Sequence, residues 1–267
     1  MSEHQGRVLI IAGSDSGGGA GIQADIKTVT MLGGYAATAV TAITVQNTLG
    51  VSGVHAIPTE VVEAQARAVL DDIGTDAIKT GMLGDVAMVE AVARVLDSVR
   101  GISVVVDPVM VAKGGAALLA AEAVEAVRRL LVSRAALLTP NAPEAEALTG
   151  LAVRTTDDLR RAGDTLLSLG ARAVLMKGGH IASERVVDLL ITPQGETVFE
   201  GERIETRHTH GTGCTLASAC AAGLAQGMGL TEAVARAWAY VHEAMLRAPG
   251  LGGGHGPLDH GWPLRQR

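Results

Sequence analysis

Residues 207 to 220 read RHTHGTGCTLASAC and place a cysteine at the end of a Gly-Thr-Gly turn. Thr212 and Gly213 are poor residues for a helix interior, whereas the small apolar run after Cys214 is typical of a buried helix. The stretch therefore predicts a loop that delivers one thiol to a helix N-terminus. Backbone N–H groups at such an end have no partner within the helix and favour anions. The Cys214 thiol is expected either to pack or to take part in chemistry.

Polar residues follow three apolar runs that have the character of buried strands. Asp107 follows ISVVV, Asn141 and Glu144 lie three residues apart at a helix start, and Lys177 precedes two glycines. Oxygen ligands suit Mg²⁺, and an ammonium beside glycines suits a phosphate. Because strands of a parallel sheet end at one edge, these groups are expected to meet there. With the anion-favouring helix start, they predict phosphoryl transfer to an acceptor near Cys214.

Two further loops are candidates for ligand contacts. The first strand is followed by Gly13–Gly21, whose glycine spacing fits neither a Walker loop nor the Rossmann pattern. Its glycines let a backbone approach a ligand closely. Asp25 is expected either to face that ligand or to be an ordinary first-turn acid. Gln46 follows the second strand, and its amide can donate and accept at once, which suits an aminopyrimidine edge.

Strand and helix patterns alternate along the chain, which predicts a mostly parallel sheet covered on both faces with an antiparallel edge. Strands are expected over 7–12, 36–45, 51–57, 76–79, 102–106, 135–138, 173–176, 186–192 and 196–204, and helices over 21–32, 59–73 (with Thr59 as N-cap), 85–96, 121–132, 143–148, 156–169, 212–227 and 231–248. We find no repeat or linker, so one α/β domain over residues 1–267 is expected. The glycine-rich tail, 250–267, is either a flap or a frayed end.

Composition excludes several classes of function. The net charge of the 267 residues is −6, which gives no electrostatic support for binding nucleic acid or a membrane surface. No apolar run approaches the roughly 20 residues of a membrane span. Cys214 and Cys220 are the two cysteines, and their spacing on one predicted helix disfavours a disulfide between them. A cytoplasmic protein is expected.

Several motifs occur in an order that is familiar. They are IAGSDSGGGAGIQADIKT, TAITVQNTLGV, KTGML, VVVDPVM, LLTPNAPEAEALTG, VLMKGGH, HGTGCTLASA and GGGHGP, and they span about residues 8 to 257. This series resembles the bacterial hydroxymethylpyrimidine/phosphomethylpyrimidine kinases of thiamine biosynthesis, which belong to the ribokinase-like superfamily. The resemblance implies a three-layer α/β/α domain, ATP and Mg²⁺, and two successive phosphorylations of 4-amino-5-hydroxymethyl-2-methylpyrimidine. A homodimer is a further expectation from the family.

The resemblance also implies roles for individual residues. A first group would line the pyrimidine pocket, with Gln46 at the ring: Gly13, Ala20, Asp25, Gln46, Met82 and Val109. A second group would bind the nucleotide phosphates and Mg²⁺: Asp107, Asn141, Lys177 and Thr212 for ATP, with Asp107, Asn141 and Glu144 for the metal. The catalytic group would be Lys177, Cys214 and the anion hole formed with Gly211 and Gly213. Because aromatic residues make up only 2% of the chain, Met82 and Val109 are expected to sandwich the ring.

Many sugar kinases of the superfamily carry an aspartate where this chain has Cys214. A fixed carboxylate there would repel a phosphomonoester acceptor, whereas a thiol is neutral at its usual pKa. The helix N-terminus is expected to shift the Cys214 thiol toward thiolate, so that it assists an alcohol acceptor and yields to a phosphorylated one. A tightly packed, inert thiol is the alternative.

Two other functions stay open at this stage. A pyridoxal kinase has related loops and an acceptor that also carries a hydroxymethyl group. A catalytically inactive vitamin-binding or regulatory module is the alternative from another class, although Asp107, Asn141, Glu144 and Lys177 are all present. An NAD-linked enzyme is excluded by the missing Rossmann spacing.

Overall fold

The computed structural model describes residues 5–111, 115 and 118–265. Its strands are β1 (Arg7–Asp15), β2 (Tyr35–Asn47), β3 (Gly50–Ala56), β4 (Ala77–Thr80), β5 (Ser103–Val106), β6 (Leu137–Leu138), β7 (Val174–Met176), β8 (Arg185–Thr192) and β9 (Gly195–Glu202). Its α-helices are α1 (Gly21–Met31), α2 (Thr59–Asp72), α3 (Val86–Ser98), α4 (Ala121–Leu130), α5 (Ala142–Thr149), α6 (Thr156–Ser168), α7 (Thr212–Ala225) and α8 (Leu230–Leu246). Short 3₁₀ helices occupy Val132–Arg134 and Trp262–Arg265.

The described strands form one sheet in the order β3-β2-β1-β4-β5-β6-β7-β8-β9. Strands β2, β1, β4, β5, β6 and β7 are parallel to their neighbours in this series. Strand β3 pairs antiparallel with β2 at one edge, and β8 and β9 form the antiparallel hairpin at the other. The predicted α/β class is therefore confirmed, with antiparallel strands at both edges of the sheet.

Alternation along β1 divides the interior into two cores. Leu9 and Ile11 pack with α2 to α6 on one face, whereas Val8 and Ile10 pack with α1, α7 and α8 on the other. Successive strand residues point to opposite faces, so a continuous apolar run indicates a strand that is covered on both sides. This arrangement is the expected three-layer α/β/α sandwich.

Helix α7 is built almost wholly from small residues, and ten of its fourteen residues are buried. Small side chains allow close helix contacts: a Cβ added at Gly223 would lie 2.7 Å from the Cβ of Ala233 in α8. Helix α7 thus lies deep in one layer, with its first residues at the carboxyl ends of the strands. None of the helices in the described part of the chain is both long and apolar enough to cross a membrane.

Some element boundaries differ from the sequence predictions for local reasons. Strand β2 continues to Asn47 because it pairs with β3 up to Gly50, so Gln46 lies in the strand rather than in the loop after it. The prediction that Thr59 caps α2 is wrong. Pro58 is the N-cap and Thr59 is the first helical residue. Asp85 caps α3 instead of belonging to it, since its side chain accepts a hydrogen bond from the Met88 N–H.

A buried ion pair joins α1 to the sheet. The Lys79 ammonium, on β4, lies 2.9 and 3.0 Å from the two carboxylate oxygens of Asp25, and both side chains are fully buried. The Ser218 hydroxyl of α7 donates to the same carboxylate at 2.6 Å. Burial lowers the pKa of Lys79, but the charges of Asp25 and Asp107 and the hydrogen bond to Asp25 together outweigh this effect, so the pKa is raised and the ammonium stays charged. Three elements are therefore connected at one point.

Removal of the buried ammonium should destabilise the protein strongly. Lys79→Met leaves a buried carboxylate without its counterion, and we expect a loss of about 3–5 kcal/mol in the free energy of unfolding, measured by urea denaturation. The control is Arg128→Met, which breaks the exposed Arg128–Glu125 pair (3.2 Å) and should cost less than about 1 kcal/mol. Equal effects of the two substitutions would contradict the assigned role of Lys79.

Candidate active site

A carboxylate and an ammonium group are in contact at the carboxyl ends of β5 and β7. Asp107 directly follows β5 and is 1% exposed, and its carboxylate accepts a hydrogen bond from the Lys177 ammonium at 3.1 Å. The Thr139 hydroxyl, after β6, donates to the same oxygen atom at 3.0 Å. Burial opposes both charges. The charges of Lys177 and Lys79 nevertheless lower the pKa of Asp107, and those of Asp107 and Glu144 raise the pKa of Lys177. Both groups are ionised at neutral pH.

Asn141 and Glu144 share a second role that we did not predict. They form a capping box at the start of α5: the Asn141 side chain accepts from the Glu144 N–H at 2.9 Å, and the Glu144 carboxylate accepts from the Asn141 N–H at 2.8 Å. The same Glu144 carboxylate lies 3.8 Å from the Lys177 ammonium. The N-x-x-E pattern is a readable signal for this cap. The predicted proximity of Asn141, Glu144 and Lys177 is present.

Burial gives Glu144 an unusual titration. Its carboxyl is largely buried, and this burial is the main cause of its raised pKa. The charge of Lys177 lowers the pKa, and the charge of Asp107 raises it. The net result is a pKa of about 7. Apart from Lys79, which is paired with Asp25, these two buried carboxylates share the ammonium of Lys177. This shortage of positive charge is the main electrostatic feature of the site.

The start of α7 adjoins the Asp107–Lys177 pair. A Cβ added at Gly213 would lie 3.2 Å from the Lys177 nitrogen and 3.9 Å from a carboxylate oxygen of Asp107. Gly211, the N-cap, has φ +86°, and an added Cβ would lie only 1.8 Å from the Gly19 carbonyl oxygen. Glycine at 211 thus permits both the left-handed turn and the contact with the loop after β1. The N-terminal end of α7 is brought to the lysine and the carboxylate, as the sequence predicted.

The Cys214 thiol lies beside the N-termini of two helices. The Gly21 N–H, at the start of α1, interacts with the thiol as a hydrogen-bond donor, and Lys79 is close enough to favour a thiolate. Burial dominates, however, and raises the pKa of Cys214 to about 12. The prediction that the helix end shifts this group toward thiolate is therefore wrong, because loss of solvation outweighs the helix dipole and the lysine. At neutral pH the group is a neutral thiol.

The residues expected at the pyrimidine pocket have different surroundings. Met82 is 9% exposed and packs close to Gly13, where an added Cβ would lie 2.3 Å from its terminal methyl carbon. Ala20 and Val109 are partly exposed. Asp25 is fully buried, and its carboxylate binds Lys79 and Ser218, as described above. It is therefore part of the protein interior.

Gln46 belongs to a polar cluster that links three segments. Its side-chain nitrogen lies 3.3 Å from Nε2 of His210, and that ring nitrogen lies 2.8 Å from a carboxylate oxygen of Asp15. The Ser16 hydroxyl donates to the Gln46 carbonyl oxygen at 2.6 Å. The ends of β1 and β2 and the loop before α7 are therefore tied together beside the glycine loop.

The glycine-rich tail is docked on the same face. The His255 N–H donates to the Thr48 carbonyl oxygen at 2.8 Å, and the His210 N–H donates to that of Gly256 at 3.1 Å. Farther on, the Thr215 hydroxyl and Nε2 of His260 are 2.9 Å apart, and His260 is 4% exposed. Up to residue 265 the tail is thus attached to the core and is not a frayed end. The last two residues lie outside the described part of the chain.

Sequence reasoning missed Lys79, Asp15, Thr139 and Ser218, and it assigned no role to His210. Their residue types are common on surfaces, and only the fold places them in the interior. One signal was available: Lys79 ends an apolar strand pattern and precedes Thr80 and Gly81, which is an unusual place for a solvated lysine. Among the described residues, no group of three or more His, Cys, Asp or Glu side chains is arranged to hold a metal.

The three-layer sandwich, with a carboxylate–lysine pair and a glycine-led helix start at its strand ends, has the ribokinase-like fold, which it shares with solved vitamin kinases. The particular family follows from the sequence. The profile of the phosphomethylpyrimidine kinase family matches residues 15–259, and the chain belongs to that family.

Two curated relatives and one solved structure are similar to this chain. The hydroxymethylpyrimidine/phosphomethylpyrimidine kinase of Streptomyces coelicolor is 51% identical over 96% of this chain and 95% of its own length. The thiamine biosynthesis bifunctional protein ThiED of Geobacter sulfurreducens is also 51% identical, over 96% of this chain, which spans 52% of that longer protein. A solved ADP complex of Bacillus subtilis pyridoxal kinase is 38% identical with a TM-score of 0.91, covering 98% of this chain and 100% of that chain.

The backbone contact at Gly211 gives a direct test of the geometry. Gly211→Ala should shift the Gly19 carbonyl and the start of α7, and we expect at least a tenfold loss of kcat/KM for phosphoryl transfer. Gly227→Ala is the matched control: Gly227 also has a positive φ (+83°) but has no atom within 4 Å of an added Cβ. Both substitutions carry the left-handed backbone cost of about 1–2 kcal/mol. Equal activities of the two variants would contradict the role of this contact.

Proposed function

We propose that this chain transfers the γ-phosphoryl group of ATP to the hydroxymethyl group of 4-amino-5-hydroxymethyl-2-methylpyrimidine, and then phosphorylates the resulting monophosphate. The observation that carries the proposal is the contact of Asp107 and Lys177 beside Gly213, in a chain of the phosphomethylpyrimidine kinase family. The curated relatives named above support the choice of acceptor.

The residues of the site have distinct roles in this proposal. The Lys177 ammonium and the N–H groups at the start of α7 lie where they would stabilise charge on the transferred phosphoryl group. Thr212 and Asn141 lie beside them and would bind nucleotide phosphate. The neutral Cys214 thiol would take no proton from the acceptor. The hydroxyl proton would pass to an oxygen of the transferred phosphoryl group as the new O–P bond forms and the bond to ADP breaks, which the loose transition state of phosphoryl transfer allows.

The site also fits Mg²⁺. Asp107 and Glu144 provide hard oxygen ligands, and their shared ammonium leaves negative charge that a divalent cation would balance. Asp107, Asn141 and Glu144 would hold the metal, with water and phosphate oxygens as the remaining ligands. When bound, Mg²⁺ would neutralise charge on the ATP phosphates.

A pyridoxal kinase is the second candidate, because the ADP complex of the Bacillus subtilis enzyme has nearly the same fold. The test is an ADP-release assay with the pyrimidine alcohol, its monophosphate and pyridoxal side by side. We expect the two pyrimidines to give the higher kcat/KM. A preference for pyridoxal would favour the second candidate, and binding of the pyrimidine without ATP turnover would indicate a non-catalytic module.

Glu144 should make stability and Mg²⁺ binding depend on pH. Its pKa is about 7 in the folded protein and near 4.5 when unfolded, so the folded state holds one more proton between these values. Relative to Glu144→Gln, the wild type should therefore lose stability as pH rises from about 5 to 7.5, on the order of 3 kcal/mol in urea unfolding. Mg²⁺ should bind the wild type more tightly above pH 7, as the carboxyl loses its proton.

The control for Glu144→Gln is Asp158→Asn, because Asp158 holds the same capping-box position in α6. The Glu144 variant should need more Mg²⁺ for turnover while binding of the pyrimidine without nucleotide is unchanged, and the Asp158 variant should need no more than wild type. If excess Mg²⁺ does not affect the deficit of the Glu144 variant, this residue does not act through the metal.

A negative charge at position 214 should affect the phosphorylation of the two acceptors differently. In Cys214→Asp the new carboxylate would repel the charged phosphomonoester. At a distance of ~5 Å and an effective dielectric constant near 20, this repulsion amounts to several kcal/mol. The alcohol is neutral and would not be repelled. We expect that phosphorylation of the monophosphate is largely lost and that of the alcohol is kept. Cys214→Ser should affect both steps similarly, since a hydroxyl and a thiol of pKa about 12 are both neutral.

The measurement is kcat/KM for both acceptors in each Cys214 variant, with folding checked by thermal melting. A wild-type ratio of the two values in Cys214→Asp would mean that charge does not select cysteine here. A selective loss of the alcohol step in Cys214→Ser would restore a base role for the thiol.

A further inference from the structure

The first turn of α7 carries backbone N–H groups that are free to bind an anion. The N–H groups of Gly213 and Cys214 have no backbone carbonyl partner in the described part of the chain. The Thr215 N–H donates to the Gly211 carbonyl oxygen at 2.9 Å and begins the regular hydrogen-bond pattern of the helix. Thr215 is therefore the point at which the free N–H groups are joined to the rigid part of α7, and its position determines where they point.

The Thr215 side chain binds the docked tail rather than its own helix. Its hydroxyl lies 2.9 Å from Nε2 of His260, and both residues are buried. A threonine hydroxyl inside a helix commonly donates to the carbonyl oxygen four residues earlier. Thr28 of α1 does so, with the Ala24 carbonyl as acceptor at 2.7 Å. Among the described residues, the Thr215 hydroxyl has only His260 as a partner, so an external group holds this turn.

His260 is itself held in place by α8. The Tyr240 hydroxyl donates to the His260 carbonyl oxygen at 2.6 Å, and the indole N–H of Trp262 donates to the Tyr240 carbonyl oxygen at 3.2 Å. On the other side of His260, the Asp259 N–H donates to the Ala244 carbonyl oxygen at 2.9 Å. The imidazole thus meets α7 from a fixed position in the tail.

The environment of the ring sets the direction of its bond to Thr215. Burial and the charge of Lys27 lower the pKa of His260 to about 4, although Asp259 and the Leu258 backbone oppose them, so the ring is neutral at neutral pH. A backbone carbonyl such as that of Leu258 favours a ring N–H, and because Nε2 faces Thr215, we place this proton on Nδ1. Nε2 then accepts, and the Thr215 hydroxyl donates to it.

We propose that His260 is a positioning residue for phosphoryl transfer: through the Thr215 hydroxyl it holds the first turn of α7, so that the free N–H groups of that turn keep the orientation in which they stabilise the transferred group. The inference deepens the proposed function and rests on it for the identity of the acceptor. It gives the end of the chain a part in the reaction, although His260 itself does not touch the reacting atoms.

Fixed dipoles stabilise a transition state best when they need not reorganise as charge develops. The Ser218 hydroxyl also holds α7, by its bond to Asp25, but it lies one turn further along the helix. Without the bond to His260, the first turn would have to be ordered during the reaction itself. This cost raises the barrier of the chemical step and leaves binding of the substrates nearly unchanged, so it lowers kcat and not the affinity.

The test removes the hydroxyl while the size of the side chain is kept. In Thr215→Val we expect kcat to fall about tenfold or more, with KM for ATP and for the pyrimidine alcohol within about threefold of wild type. Thr215→Ser keeps the hydroxyl and should keep kcat within about threefold. His260→Gln can present an acceptor oxygen near the position of Nε2 and should retain more activity than His260→Leu, which should resemble Thr215→Val.

The matched control is Thr75→Val, at the opposite ends of the strands. The buried Thr75 hydroxyl donates to the Ala77 carbonyl oxygen at 2.7 Å and accepts from the Leu9 N–H at 3.0 Å. This substitution should lower the melting temperature and leave kcat within about twofold of wild type. If Thr215→Val likewise lowers only the melting temperature, or raises KM at an unchanged kcat, the bond to His260 is merely structural and the proposal is overturned.

Variants that do not fold leave other tests. If His260→Leu is unfolded by thermal melting, the comparison of Thr215→Val with Thr215→Ser decides. If Thr215→Val is unfolded too, ¹⁵N NMR of the wild-type imidazole decides: Nε2 of His260 should carry no proton at neutral pH. A protonated Nε2 would overturn the proposal, because the ring would then not accept from Thr215.

Failure of the proposed function would give a different result. If the wild type phosphorylates neither pyrimidine, the inference is tested by calorimetry of ADP and Mg²⁺ with and without aluminium fluoride, which mimics a phosphoryl group in transfer. Aluminium fluoride should tighten ADP binding about tenfold more in wild type and Thr215→Ser than in Thr215→Val. Equal tightening in the three proteins, or none in any of them, would reject the role of His260.

Discussion

The ion pair between Lys79 and Asp25 is the interaction on which the geometry of the site depends. It connects β4, α1 and, through Ser218, α7, and the start of α7 adjoins the Asp107–Lys177 pair. Isolated charges in an apolar interior are very unfavourable, so each group keeps the other in place. Because the pair is neutral as a whole, it adds little net charge near the start of α7. The electrostatic potential there is set mainly by Lys177 and the helix dipoles. The Cys214 thiol lies close to this pair, and its pKa is raised mainly by loss of solvation.

Several groups near the Asp107–Lys177 pair have more than one structural role. Glu144 caps α5 and lies near Lys177, and Asp15 shapes the glycine loop while it binds His210. Gly211 permits a left-handed turn and also the approach of the Gly19 carbonyl. Such shared use means that a change in one of these residues alters both stability and activity. Matched control substitutions are therefore needed to separate the two effects.

The sequence predicted the general position of Asp107, Asn141, Glu144 and Lys177 because parallel strands end at one edge of their sheet. Patterns of apolar residues also predicted each strand and helix, with boundaries that differ mainly by one to three residues. Burial was the information that the sequence lacked. A fully buried Lys79 has the same residue type as an exposed lysine, and the pKa of Cys214 rises since desolvation exceeds the helix dipole. Such effects arise from contacts between segments far apart in the chain.

The docked tail has a consequence for how this chain can be modified. Leu258 is 3% exposed, His260 contacts the first turn of α7, and the Tyr240 hydroxyl donates to the His260 carbonyl oxygen at 2.6 Å. The tail thus closes one end of the core that contains α7 and α8. A purification tag or fused domain is compatible with this packing when it is joined after residue 265. A junction placed before Leu258 would instead separate the tail from the helix that carries Cys214.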